Sequence, residues 1–192
     1  MKMSKPCLFV VGVVLFLLVL LLADATMPAY LGNENCWFEN IQVVVLAWGL
    51  YVCYRKYRTQ ASNHALWMAG MLTTILLIGR ELSWGRVFLE PLPNGAFPPV
   101  AALPYGKILY PVIGIVMVIV LVLLARGHVV RYLRTYGLPR PYICWIVVAA
   151  LVVILTENMH MIPWQKGILI EEISELFVYT LYAIILHKLP SR

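Results

Sequence analysis

In the stretch Gly-Ile-Leu-Ile-Glu-Glu-Ile-Ser-Glu-Leu-Phe, Glu171, Glu172 and Glu175 interrupt a run otherwise apolar enough to span a bilayer. A carboxylate at the centre of a membrane helix costs about 2.5–3.5 kcal/mol on insertion scales, so three in one span require compensation. Close carboxylates in a poorly solvated place cannot all be ionised, so such a group is expected to hold a proton. A carboxyl in that condition can act as general acid or base, carry a proton, or ligate a cation. At ~3.6 residues per turn, Glu175 lies about 40° from Glu171 and Glu172 about 100° from it. Tyr179 and Tyr182 continue this acidic and phenolic sector inward, while Ile170, Ile173, Leu176 and Phe177 form the other side.

Polar residues of three further segments are expected at about the same depth. The run Gly79-Arg80-Glu81-Leu82-Ser83-Trp84-Gly85-Arg86 places Arg80, Glu81 and Trp84 in one helical sector with Thr73. Arg80 is the expected counter-ion for a glutamate of the last span, because its planar fork can hold a carboxylate bidentately. Asn35, Glu39 and Gln42 share a side at the entry to the second span, and Thr156-Glu157-Asn158-Met159-His160 closes the fifth. Glu171, Glu175, Arg80 and Glu81 are therefore the candidate catalytic groups. Glu172, Glu39, Gln42, Trp84, Glu157, His160, Tyr179 and Tyr182 are the candidates for binding a substrate or ion.

A purely structural account competes with this one. Arg80 with one glutamate makes a buried ion pair that fixes helix register, and Glu39 or Glu157 caps a helix end. One ion pair does not need three acids, which favours a site in the last span. A three-histidine zinc centre is not available, since only His160 is expected on the outer side and His64, His128 and His187 fall near the inner face. No metal centre or cofactor is predicted; a divalent cation on the carboxylates with His160 is the one alternative left open.

These side chains need a membrane bundle to position them. Hydrophobic residues make up 62% of the chain and charged ones 12%, which is outside the range of soluble globular domains. Apolar segments at about 7–23, 37–54, 65–82, 108–125, 141–156 and 167–186 approach the ~20 residues needed to cross a bilayer. Backbone polar groups must be satisfied internally in lipid, so the expected fold is all-α: a single integral membrane domain over residues 1–192 with about six transmembrane helices. The net charge of +6 does not point to nucleic acid, because its distribution follows topology. Lys2, Lys5, Arg55, Lys56, Arg58, Arg126, Arg131, Arg134, Arg140, Lys188 and Arg192 fall in segments assigned to the inside, which puts both termini in the cytoplasm. The same topology sends all nine acidic residues to the outer side.

Several local features refine that scheme. Lys2 and Lys5, the apolar run and Ala23-Asp24-Ala25 also fit a cleavable signal peptide, although the run is longer than usual and a retained anchor is the preferred reading. Pro91 to Tyr105 is the longest outer connection, proline-rich and irregular. Arg126 to Pro141 reads as a basic inner segment that sets topology. Cys36 is expected near the outer surface and Cys7, Cys53 and Cys144 near the inner one, too far apart for an external disulfide framework.

The Arg80–Arg86 run, the Glu34/Glu39/Gln42 entry to the second span and the Glu171-Glu172-x-x-Glu175 helix resemble small multi-spanning bacterial inner-membrane proteins of unassigned function. The resemblance rests on the order of short motifs and implies a location, the bacterial inner membrane, without an activity. Three functions fit these residues. The first is an enzyme acting on a lipid or lipid-linked substrate at the outer leaflet, with Glu175 or Glu171 as acid or base. The second is a cation- or proton-coupled carrier working as a homodimer. The third is a non-catalytic subunit whose polar groups pair with a partner membrane protein. Membrane lipids are expected partners in each case.

Overall fold

The computed structural model describes residues 5–32, 37–60, 63–90, 92, 97–136, 140–157 and 167–190. Among them the chain is helical throughout, with no strand. Seven α-helices follow in order: α1 Lys5–Thr26, α2 Trp37–Thr59, α3 His64–Glu81, α4 Gly106–Arg126, α5 Val129–Tyr136, α6 Arg140–Glu157 and α7 Gly167–Lys188. Short 3-10 segments occupy Ala29–Gly32, Ser83–Phe88 and Val100–Ala102. Each expected apolar segment therefore coincides with a helix. Among the described residues α4 alone is a complete helix both long and apolar enough to cross a membrane; Val11–Thr26 and Cys144–Leu155 are shorter apolar stretches. The amphipathic α5 lies within the segment read above as a basic connection.

The chain divides into two compact units, Met1–Gln42 with Pro139–Tyr182, and Val43–Leu138 with Ala183–Arg192. In the first, Leu20 and Ala23 of α1, Val152 of α6 and Ile170 of α7 form a buried cluster, with Phe16 and Ile173 packed against it. An aromatic group extends it. Trp145 meets Phe9, Phe16 and Phe177 edge to face at centroid distances of 5.4, 6.2 and 5.7 Å, while Phe16 and Phe177 stack at 4.7 Å. Such pairs add about 0.5–1.5 kcal/mol each beyond area burial. Gly12 makes room for the ring: a Cβ there would sit 2.5 Å from Trp145 Cζ2.

In the second unit α3 packs along α4. The α3 helix stops because Ser83, Trp84 and Gly85 take left-handed φ values of 44°, 55° and 90°. That reversal folds the Trp84 ring back over Gly79, where an added Cβ would lie 2.4 Å from the ring. Tyr105 Oη donates to the Trp84 carbonyl at 2.9 Å and ties down the turn. Trp84 therefore does not share a helical sector with Arg80 and Glu81, as helical spacing alone would have it. The helix on which that sector depends has ended, and Trp84 belongs to the turn.

Gly79→Ala is expected to lower stability by about 1–3 kcal/mol, because the neighbouring indole must move. Gly114→Ala is its control, since nothing lies within 4 Å of a Cβ built there. Thermal unfolding of the two variants in detergent separates a tight seat from a general dislike of alanine.

At the far end of this unit α7 is anchored by one lysine. Lys56 Nζ donates to the carbonyls of Leu186, His187 and Leu189 at 2.6, 3.1 and 2.5 Å, and lies 4.7 Å from the centre of the Trp67 ring. Lys56 follows the apolar 37–54 segment, and burial pushes its pKa below the ordinary lysine value while the Cys53 thiol opposes that shift. Trp67 Nε1 donates to Gln60 Oε1 at 2.7 Å, and Tyr132 Oη donates to the Pro190 carbonyl at 2.7 Å. Cys53 is a buried free thiol in this unit, whereas Cys144, in the first unit, is an exposed one; Cys36 lies outside the described residues.

Candidate functional site

Within the first unit the polar face of α7 meets the start of α2. Glu39 stands in the first turn of α2, where a carboxylate complements the positive end of the helix dipole. Gln42, one turn on, is completely buried. Its Nε2 donates to the Glu172 carbonyl oxygen at 3.0 Å and to Glu172 Oε2 at 2.9 Å. The backbone carbonyl can only accept, so the amide orientation is fixed. Gln42 Oε1 is buried and has no hydrogen-bond partner among the described residues. An acceptor left in that condition carries a desolvation penalty of about 1–3 kcal/mol.

Further along α7, Ser174 is fully buried and its hydroxyl donates to the Ile170 carbonyl at 2.8 Å. That bond satisfies the hydroxyl within the helix and leaves the acids as the reactive groups of this face. Glu175 is only 6% exposed, Tyr179 is buried, and Glu171, Glu172 and Tyr182 are partly buried. A carboxylate oxygen of Glu172 and one of Glu175 lie within 4.8 Å of each other, close enough to share a metal ion. Carboxylates at such spacing suit a hard cation with oxygen ligands.

In the second unit Arg80 Nη1 donates to Glu81 Oε1 at 3.2 Å, in a pair whose side chains are 48% and 4% exposed. The arginine thus solvates the buried carboxylate of its own neighbour. Glu157 is the last residue of α6, and its side chain is not described. His160 lies outside the described residues, as do Glu34 and Asn35.

The structure brings Gln42 to Glu172 and buries Glu175 on the same helix. Helical spacing had placed Gln42 on the polar side of its span, but could not select which glutamate it would hold. Lys56 was counted only as an inner-side charge. A lysine one turn after Cys53, with Trp67 following a short turn, was the available signal for a buried ammonium.

No family model, curated protein or solved structure matches the chain. The functional reading therefore rests on the side chains themselves.

Proposed function

We propose that the chain is a multi-pass integral membrane protein that uses the carboxylate face of α7 to hold a cationic or hydroxyl-bearing group of a membrane lipid or lipid-linked substrate. Glu175 and Glu171 serve as acid or base, and Gln42 and Glu172 orient the ligand. The membrane reading draws support from α4 and from the wide exposure of large apolar side chains, such as Leu22 and Val19 on α1 and Leu121 and Ile108 on α4. Exposed apolar patches beyond a few hundred Å2 are unusual on soluble monomers and suit lipid contact. The motif resemblance supports the bacterial inner membrane, with both termini in the cytoplasm by the positive-inside rule.

The single observation that carries the site is the buried, unmet Gln42 Oε1 beside the carboxylate of Glu172. An array of acceptors takes a proton donor or a cation, not an anion. Overproducing the protein is expected to alter the lipid profile of the cell, and Glu175→Gln is expected to remove that alteration at unchanged protein level. An unaltered profile with the wild-type protein would sink the enzymatic form of the reading.

The close carboxylates favour one second reading, a cation or proton carrier working as a homodimer. It predicts cation-dependent uptake into proteoliposomes that Glu175→Gln abolishes, with lipids unchanged. Wild-type proteoliposomes with no uptake would dispose of it.

A further inference from the structure

Beside the Lys56 anchor lies a cavity of about 500 Å3 lined by Trp48, Tyr51, Val52, Arg55, Lys56, Thr59 and His187. Trp48, Tyr51, Arg55 and Thr59 recur every three or four residues, so they form one stripe along α2. The stripe is aromatic toward the middle of the helix and polar toward its C-terminal end. The His187 ring lies against Trp48 at a centroid distance of 5.6 Å and brings a second nitrogen heterocycle to the same groove.

The electrostatics of this groove are one-sided. Arg55 is exposed and has no ion-pair partner among the described residues. Lys56 is 8% exposed and spends its donors on three carbonyls, so it adds positive charge to the wall without offering a free hydrogen bond. No Asp or Glu occurs in residues 43–80, 91–138 or 183–192, so the surrounding sequence offers the groove no acidic side chain. The acids of this unit, Glu81 and Glu90, do not line the groove, whose charged lining is Arg55 and Lys56.

We infer that this groove binds the phosphodiester headgroup of an anionic membrane lipid. The Arg55 fork and the His187 ring hold the phosphate, and Trp48 and Tyr51 flank the glycerol and the first carbons of the acyl chains. Aromatic side chains favour the level of the lipid headgroups, and basic pockets at the cytoplasmic face suit anionic ones. A free phosphate ion shares the charge but gives the aromatic half of the groove nothing to contact, which is why a lipid is the assigned source. The inference rests on the membrane reading above but uses none of the glutamate face.

The test uses the full chain in a neutral detergent, titrated with phosphatidylglycerol, phosphatidylcholine or inorganic phosphate, with bound lipid read by native mass spectrometry. Phosphatidylglycerol is expected to bind selectively. One cation near the surface contributes roughly fivefold in affinity, so Arg55→Gln should weaken it by about that factor. Trp48→Ala should weaken the lipid further, while Arg134→Gln, in a different basic stretch, should leave binding at the groove unchanged. Equal binding of phosphatidylcholine, displacement of the lipid by millimolar phosphate, or an equal loss with Arg134→Gln would each overturn the assignment. Cell fractionation separates this outcome from failure of the membrane reading. A protein that stays in membranes but shows no lipid preference defeats only the groove, whereas one that remains soluble without detergent defeats both.

Discussion

Lys56→Met is expected to destabilise the protein by about 3 kcal/mol, more than any other substitution at this end of the chain. The last carbonyls of a helix have no partner within it and must find donors elsewhere. For α7 those donors are concentrated in one ammonium, which reaches Leu186, His187 and Leu189 together. A cation at a helix C-terminus is also favoured by the helix dipole, and its position over Trp67 adds attraction from the ring. Methionine keeps most of the volume but supplies no donor, so three carbonyls lose their partner at once. Lys56→Arg should recover less than half of the loss, because a planar fork cannot aim its donors at three converging acceptors as an ammonium does. Thermal unfolding in detergent gives the size of the effect, and hydrogen exchange at residues 186–190 gives its location. A midpoint unchanged by Lys56→Met would show the anchor to be energetically idle.

The helices were legible because a long apolar run bounded by charge leaves a plain trace in the sequence. Both α4 and α1 follow that trace to within a few residues of their observed ends. The helix α5 was not legible, because its arginines, Arg131 and Arg134, are also what a topology-setting connection carries. Only the periodic Val129, Val130 and Leu133 betray an amphipathic face. Trp84 was misplaced for a different reason. Helical spacing was carried past Glu81, although Gly85 is the residue best able to take the positive φ that ends the helix, and Gly79 leaves space for the returning ring. For the glutamate face, sequence supplied the acids and their sector but not their partners. Whether Gln42 meets Glu171, Glu172 or Glu175 depends on how α2 and α7 pack, and a periodic pattern on one helix contains no information about rotation of the other. The same limit applies to Lys56, whose acceptors lie about 130 residues away in the chain.

Gln42→Glu is expected to have the second-largest effect, and the partner substitution makes it diagnostic. Gln42 Nε2 bridges the carbonyl and the carboxylate of Glu172. A glutamate at position 42 sets one carboxylate against another in a place that Gln42 occupies with no exposure. Either the pair takes up a proton or the unit loosens; removing the two donor bonds and adding that repulsion is expected to cost about 2–3 kcal/mol. Loss should be smaller at low pH, where a shared proton restores a donor between the two groups, and larger as pH rises. Glu172→Gln in the Gln42→Glu background reverses the polarity: the amide now sits on α7 and donates to the carboxylate on α2. The double variant should regain roughly half of the loss, since the side-chain bond returns while the bond to the backbone carbonyl does not. Unfolding midpoints of the wild type, both single variants and the double variant complete the cycle. If Glu172→Gln brings no recovery, the two side chains are not coupled and the buried acceptor beside them loses its claim to be a ligand group. If recovery occurs, the cycle isolates the packing role of the pair. A loss of lipid change or cation uptake in the double variant that exceeds its remaining loss of stability would then be assigned to the exchanged polar groups at positions 42 and 172 together.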